Sequence, residues 1–165
     1  MGSLGDVHPL VGLGKAMAAR GHAVTLMTNP VFEQLAHDQG LGFQAVGTAE
    51  HQAQTLSHPK LWHSIDGLGV LWRYMLRPAL WPTLHALNTW RNQQVAGDRL
   101  LVLANPMAFG ARLANEAWCL PLVSAYTAAT MLRTSLPPMT LAQWSLPSGM
   151  PQWLPRLAWA ALDRY

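Results

Sequence analysis

The hydrophobic pattern of the chain switches repeatedly between the period of a helix and that of a strand. In the first such segment Leu10, Leu13 and Met17 fall at helical spacing, and a glycine at the end of that segment is a usual helix terminator. Applied along the chain, these rules predict helices over 8–20, 30–39, 107–118 and 154–165, and strands over 23–28, 40–46, 99–104 and 121–124. This alternation is typical of an α/β fold, a parallel sheet with helices on both faces.

Residues 47–98 interrupt the alternation with a helical insertion. After an irregular stretch that reaches residue 60, an apolar stripe predicts a helical hairpin that Pro78 and Pro82 interrupt. The stripe includes Trp72 and Met75, in a chain with eight Trp and eight Met among 165 residues. Flat Trp and flexible Met suit a tunnel for an apolar ligand such as a lipid or polyketide. Ordinary helix packing produces the same stripe, so both interpretations stay open.

Composition narrows the class of protein. The chain is half hydrophobic and 12% charged, which favours one globular domain with a substantial core. The eleven Lys and Arg residues are scattered, so nothing indicates nucleic-acid binding. Cys119 has no partner for an intrachain disulfide, and we expect it to be buried in a cytoplasmic protein. The longest uncharged span, 134–155, contains five prolines and predicts no membrane-spanning helix.

The amino-terminal segment predicts a glycine-rich turn that opens into a helix near residues 8–9. Gly2 and Gly5 let the backbone approach a ligand, Ser3 offers a hydroxyl, and the helix start favours an anion such as phosphate. Asp6 is an awkward neighbour for an anion, which points to a chemical role, and proton abstraction from a bound hydroxyl is the natural one. Alternatively, Asp6 caps the helix.

This turn has an unusual position for an α/β fold. In a doubly wound sheet the turn follows the first strand, which usually lies at the centre, yet only Met1 precedes the turn here. We therefore expect the first strand to be missing and the domain to be truncated at both ends. A sheet without its central strand leaves backbone N–H and C=O groups unpaired.

An ordered series of segments resembles the amino-terminal domain of glycosyltransferase family 28 and its two-domain relatives. The segments are Gly2–Pro9, Gly12–Leu26, Thr28–Phe32, Gly40–Phe43, Pro59–Trp62, Gly69–Trp72, Phe109–Ala114 and Leu136–Pro138. The resemblance spans nearly the whole chain. It implies a Rossmann-like half of the two-domain GT-B architecture, here the acceptor-binding domain over residues 1–165, with the donor-binding domain absent.

The resemblance also implies a reaction. A base removes the proton of an acceptor hydroxyl, whose oxygen attacks a sugar carried on a nucleoside diphosphate, with inversion and without a metal. Asp6 stands where the family places its base, and Gly2, Ser3 and Gly5 lie on the diphosphate side. The expected partners are a UDP- or dTDP-linked sugar, used as co-substrate with no cofactor, and an apolar acceptor such as a lipid.

Polar residues after the later predicted strands complete the candidate site. Asn105, Tyr126 and Thr127 follow strands 99–104 and 121–124, at the edge where such sheets bind ligands, and His8 lies two residues from Asp6. We expect all four to contact the acceptor, together with Trp72 and Met75 of the apolar stripe. Asn105 also fits a simple turn before a proline. The seven His residues show no tight ligand pair, so we expect no metal.

Two other classes of function compete with sugar transfer. A nicotinamide-dependent oxidoreductase also uses a glycine turn, but the spacing of Gly2 and Gly5 is not the dinucleotide pattern, and Asn29 stands where an acid is expected. The other rival is a non-catalytic module that binds an apolar ligand or a partner. A lipid acceptor would place the protein at the inner face of a membrane, held peripherally.

Overall fold

A computed structural model of the chain describes residues 4–63, 66–95 and 97–128, with 140–141, 144–145, 151, 153–154 and 157 beyond them. The chain divides into two compact units, Met1–Thr127 and Ala128–Tyr165. In the second unit two short strands, Thr140–Leu141 and Trp144–Ser145, pair in antiparallel fashion. The predicted helix over 154–165 lies outside the described residues, apart from helical positions at 154 and 157.

The first unit alternates helices and strands, which confirms the predicted α/β class. Its helices are α1 (Leu4–Ala18), α2 (Glu33–Asp38), α3 (Ala49–Leu56), α4 (Asp66–Leu71), α5 (Arg77–Asn92) and α6 (Phe109–Trp118). Its strands are β1 (Thr25–Thr28), β2 (Gly42–Ala45), β3 (Val102–Ala104) and β4 (Leu122–Ser124). A 3₁₀ turn over Pro30–Phe32 precedes α2, and a π-helical segment over Trp72–Leu76 joins α4 to α5.

The strands form two parallel pairs. β1 pairs with β2, Thr25 lying opposite Gly42, and β3 pairs with β4, Val102 lying opposite Leu122. Within the described residues no strand joins β1 to β3. β1 and β3 therefore each have one edge with no strand partner among the described residues.

Helices cover both faces of β1. Leu26 packs against the core cluster of α1 and α2, which contains Val7, Val11 and Phe32. Its neighbour Met27 packs against the cluster of α5 and α6. Because successive side chains of a strand point to opposite faces, the two helix pairs lie on opposite sides of the strand.

Helix α1 differs from its prediction in where it begins and which face it buries. It starts at Leu4, so Gly5 and Asp6 belong to its first turn, and Asp6 is not its cap. Its buried residues are Val7, Val11 and Gly14, whereas Leu13 of the predicted stripe is 43% exposed. Pro9 lies inside the helix and has no N–H to donate to the Gly5 carbonyl. Because proline is common in the first turn of a helix, its position predicted a start at residue 8 or 9.

The insertion is more helical than the sequence indicated. Helix α3 occupies part of the stretch expected to be irregular, and Thr48 caps it by accepting a hydrogen bond from His51 N–H at 3.3 Å. Pro78 and Pro82 do not end the long helix. In the segment before them the N–H of Arg77 bonds to the carbonyl of Trp72, a wider i to i−5 turn. Pro78 then lies in the first turn of α5, where its missing N–H costs little.

Helix α6 ends in a strained residue. Cys119, expected to be buried, is exposed and adopts a left-handed conformation with φ of 52°. This is the conformation that usually terminates helices at glycine, because a Cβ disfavours it. Cys119 was expected to be buried because its neighbours in the sequence are apolar. The buried residue is its neighbour Leu120.

We expect Cys119→Gly to raise the free energy of unfolding by about 1 kcal/mol, because glycine adopts the left-handed conformation without a Cβ clash. Urea denaturation of the two chains measures the difference. Cys119→Ala keeps the Cβ and serves as the control, with little change expected. Equal free energies of unfolding for the two variants would show that the backbone of Cys119 is not strained.

The contact between α5 and α6 depends on Gly110. A Cβ at this position would lie 2.6 Å from the Leu80 carbonyl oxygen and 2.7 Å from the Cβ of Thr83. We expect Gly110→Ala to lower the free energy of unfolding by about 2 kcal/mol through overpacking. Gly12 is the matched control, since an added Cβ meets nothing within 4 Å in α1. Gly12→Ala should raise stability by about 0.5–1 kcal/mol, and the same denaturation experiment compares them.

Candidate active site

Asp6 lies at the meeting point of three parts of the chain. Its Oδ1 accepts a hydrogen bond from Thr127 Oγ1 at 3.0 Å and from Asn105 Nδ2 at 3.4 Å. Asp6 is half-buried in the first turn of α1, while Asn105 follows β3 and Thr127 comes three residues after β4. Two residues that are distant in the sequence, Asn105 and Thr127, therefore donate to one carboxylate oxygen of Asp6.

The amide of Asn105 is held at both ends. Its Oδ1 accepts from the backbone N–H of Met107 at 2.9 Å, and its Nδ2 donates to Asp6. A carboxylate can only accept and a backbone N–H can only donate, so these partners fix which end of the amide faces Asp6. Asn105 is 8% exposed, and its turn with Met107 confirms the predicted turn role. The same residue thus shapes the loop and orients the acid.

The topology explains why these residues meet. β3 and β4 are parallel, so the residues that follow them emerge at the same edge of the pair. Helix α1 begins at this edge, as the contact of Asp6 with Asn105 shows. In parallel α/β folds, ligands bind in the crevice outside the carboxyl ends of the strands. The Asp6 cluster occupies that position.

The other residues predicted for this site surround the cluster without joining its hydrogen bonds in the described residues. Gly5 and His8 are exposed on the first turns of α1, and Tyr126, beside Thr127, is 49% exposed. Exposure leaves these groups accessible to a ligand. Gly2 and Ser3 lie outside the described residues.

Trp72 and Met75 lie in different surroundings. Trp72 is 48% exposed, packs edge-on against Phe109 at a centroid distance of 6.1 Å, and lines open surface grooves. Met75 lines a narrow cavity of about 20 Å³ with Asn29 and Tyr74. That volume holds about one water molecule, so an alkyl chain does not fit there. The two residues do not form the wall of one tunnel in this structure.

The surface around Trp72 is both aromatic and basic. Trp81 is 70% exposed, and Arg73 and Arg77 line the same groove as the two tryptophans. Arg112 lines the adjoining groove beside Phe109. These residues present flat apolar rings next to guanidinium groups, a combination that suits amphipathic molecules.

The end of β1 shows no acid for a nucleotide ribose. Asn29 closes that strand, accepts from the N–H of Val31 at 3.2 Å and donates to the carbonyl of Thr48 at 2.7 Å. Its side chain thereby connects the 3₁₀ turn before α2 to the cap of α3. Beside that cap, hydrogen bonds from its own backbone and from Thr48 lower the pKa of Glu50.

Among the described residues, no group of three His, Cys, Asp or Glu side chains is placed to hold a metal ion. None of the described helices combines the length and the hydrophobicity that crossing a bilayer requires.

A parallel α/β domain with an acid at the carboxyl edge of its strands is consistent with the resemblance found in the sequence. The profile of the glycosyltransferase family 28 N-terminal domain matches residues 1–133. The chain belongs to this family. Its strands and helices represent the Rossmann-like half of the GT-B architecture.

Two curated relatives are sterol 3-beta-glucosyltransferases of yeasts. The family 28 domain is 29% identical over 127 residues to a sterol 3-beta-glucosyltransferase of Candida albicans (strain SC5314 / ATCC MYA-2876), covering 77% of this chain and 8% of the relative. It is 35% identical over 63 residues to a sterol 3-beta-glucosyltransferase of Pichia angusta, covering 37% of this chain and 5% of the relative. The chain thus spans less than a tenth of the length of these relatives.

The hydrogen bond between Asp6 and Thr127 can be measured through a double-mutant cycle. We expect Asp6→Ala and Thr127→Val to couple by about 1 kcal/mol in urea denaturation, because the hydroxyl bonds to a charged group. Thr89 is exposed on α5, and Thr89→Val combined with Asp6→Ala should be additive. Additivity of the Thr127 pair as well would show that the bond does not form in solution.

Proposed function

We propose that this domain takes part in inverting transfer of a sugar from a nucleoside diphosphate to the hydroxyl of an apolar acceptor, with Asp6 as the general base. Family membership supports sugar transfer as the reaction class. The observation that carries the residue assignment is the carboxylate of Asp6, held by Thr127 and Asn105 at the ligand-binding edge of the strands.

The proposed step balances in atoms and charge. Asp6 takes the proton of the acceptor hydroxyl while the oxygen forms a bond to the anomeric carbon of the sugar. The bond from that carbon to the nucleoside diphosphate breaks, and the diphosphate leaves with the electron pair. Attack on the face opposite the leaving group inverts the anomeric centre. The nucleotide sugar is a co-substrate in this scheme, so we propose no cofactor and no metal.

Asn105 and Thr127 act as positioning residues in this proposal. Both donate to the same oxygen of Asp6, and Asn105 is itself anchored to the backbone of Met107. Two donors from different loops restrict the rotation of the carboxylate, which a base needs in order to meet a hydroxyl within hydrogen-bond distance. From the sequence we expected both residues to contact the acceptor, whereas their contacts with Asp6 favour this supporting role.

The donor side of the site is proposed from position alone. Gly5 is exposed in the first turn of α1, one residue before Asp6, and Gly2 and Ser3 precede it in the chain. The start of a helix carries free N–H groups and partial positive charge, which favour a diphosphate. We propose that a separate donor-binding domain delivers the UDP- or dTDP-linked sugar to this end of α1.

An apolar acceptor is the class that the surface supports. The two curated relatives are named for transfer to a sterol. The sequence of the tryptophan-bearing insertion, together with Leu136–Pro138, also resembles the rhamnosyltransferases of rhamnolipid synthesis. The exposed Trp72 and Trp81 beside Arg73 and Arg77 suit an amphipathic molecule or the inner face of a membrane. We propose a cytoplasmic protein that meets a lipid-like acceptor there, with His8 and Tyr126 close to its hydroxyl.

We expect Asp6→Ala to lower kcat for sugar transfer by at least about a hundredfold, since general bases typically contribute that much. The assay uses the natural polypeptide that contains these residues. It measures sugar transfer from several nucleotide sugars to lipid-like and polyketide-like acceptors that carry a hydroxyl. Thr127→Val should lower kcat less and alter the pH profile, whereas Thr127→Ser, which keeps the hydroxyl, should restore both.

The matched control for loss of a carboxylate is Asp38→Asn. Asp38 is exposed at the end of α2, where it accepts a hydrogen bond from Gln34, so its variant should transfer sugar normally. Full activity of Asp6→Ala would overturn the assignment of the base. Absence of transfer from every donor tested, with retained acceptor binding, would favour a non-catalytic binding module.

A further inference from the structure

Helices α4 and α5 and the π-helical segment between them present an aromatic and basic surface to solvent. Trp81 is 70% exposed, Trp72 is 48% exposed, and Leu68, one helical turn before Trp72, is 65% exposed. Arg73 and Arg77 are exposed beside them. We call these five residues the aromatic-basic face. The buried side chains of the same helices lie on their other side, so the face itself is available to a partner.

The π-helical segment brings the two tryptophans of this face together. Trp81 follows Trp72 by nine positions, and at 3.6 residues per turn this separation makes about two and a half turns, which would point the rings to opposite sides. Both rings nevertheless line one groove, together with Arg73 and Arg77. In a π-helical turn the hydrogen bonds reach five residues back, so each residue turns the helix by a smaller angle. The helix therefore departs from α-helical geometry where it assembles this face.

The aromatic-basic face receives no negative charge from its own helical segment. No Asp or Glu occurs between Asp66 and Asp98 in the sequence. Asp66 lies 3.2 Å from the Nζ of Lys60, so a cation balances its charge. Arg73 and Arg77 therefore make the face positive, and its chemistry favours a negatively charged partner.

The surface of a bilayer that contains anionic lipids matches these properties. Trp rings favour the headgroup level of a membrane, and arginines can lay their apolar stems along it while their guanidinium groups bond to lipid phosphates. A helix whose other side is buried in the core can lie flat on such a surface. Nucleic acid also attracts cations, but it is bound by larger clusters of Lys and Arg than Arg73 and Arg77 provide.

The aromatic-basic face adjoins a groove that leads to the candidate site. Trp72 packs edge-on against Phe109, and both line this groove together with Ser124. Ser124 ends β4, at the carboxyl edge where the proposed base lies. Arg112 and Glu116 add one charge of each sign to the groove. A bilayer on the face would therefore present its lipids at the entrance to the site.

We propose that the aromatic-basic face binds the surface of a bilayer that contains anionic lipids. Trp72, Trp81 and Leu68 enter the headgroup level, and Arg73 and Arg77 pair with the lipid phosphates. This proposal rests on the proposed function, in which a lipid-like acceptor is met at a membrane, and it adds the docking surface and the charge of the lipid.

The experiment measures binding of the full chain to vesicles by sedimentation, with no nucleotide sugar present. Vesicles of phosphatidylcholine are compared with vesicles of phosphatidylcholine and phosphatidylglycerol in equal parts. We expect stronger binding to the anionic vesicles, weakened by added salt. Arg73→Gln combined with Arg77→Gln should lower the partition constant on anionic vesicles at least about tenfold, because each basic side chain near an anionic surface contributes several-fold. Trp81→Ala should lower it about fivefold through loss of the apolar ring.

The matched control is Arg20→Gln combined with Arg99→Gln. Both arginines are exposed, and neither lines the grooves beside Trp72. The control pair removes the same amount of positive charge, yet it should bind anionic vesicles nearly as well as the unsubstituted chain. Urea denaturation of each variant verifies that it is folded.

Three results would overturn the proposal. One is absence of binding to anionic vesicles by the unsubstituted chain. Another is an equal loss of binding in the two arginine pairs, which would assign the attraction to net charge alone. The third is elution of the chain as a dimer that Trp81→Ala dissociates, without vesicle binding, which would identify a second copy as the partner. Sugar transfer is not the readout, so failure of this proposal and failure of the role proposed for Asp6 are distinguishable.

Discussion

The pairing of one carboxylate with two distant donors is the constraint on which the organisation of this domain depends. Asp6 lies near the start of the chain, and its partners follow β3 and β4 about a hundred residues later. A half-buried acid needs hydrogen-bond partners, because removing a charged group from water is costly. These bonds therefore fix the start of α1 at the carboxyl edge of β3 and β4, while the rest of α1 packs elsewhere.

The sequence predicted the alternating elements well because each carries its own local signal. The strands over 99–104 and 121–124 are short apolar runs, and the structure retains the last three residues of each run as β3 and β4. The start of α1 was predicted several residues too late, because proline is common in the first turn of a helix and rare in its interior. In this helix Pro9 lies in the interior. Cys119 was misjudged for a different reason. Apolar neighbours indicate burial of a segment, yet the residue that ends a helix points outward.

The candidate site could be predicted residue by residue, but not as an assembly. Asp6, Asn105 and Thr127 were each selected from their positions after strands or near the helix start, whereas their hydrogen bonds depend on how the strand pairs lie. The sequence could not show that Trp72 and Met75 line different surfaces, because the apolar stripe was interpreted with α-helical spacing. Trp72 and Met75 lie in a π-helical segment, whose wider turn separates side chains that would share an α-helical face.

Helix α1 links the hydrophobic core to the chemistry. Val7 and Val11 are 3% and 5% exposed in the cluster that holds α1 against α2 and β1, and Asp6 precedes Val7 by one residue. Side chains one residue apart on a helix point in different directions, so burying Val7 lets Asp6 turn toward β3 and β4. The core residues thus determine where the carboxylate stands, and the donors after β3 and β4 determine how it is turned. Repacking around Val7 would move the acid even though no atom of Val7 belongs to the site.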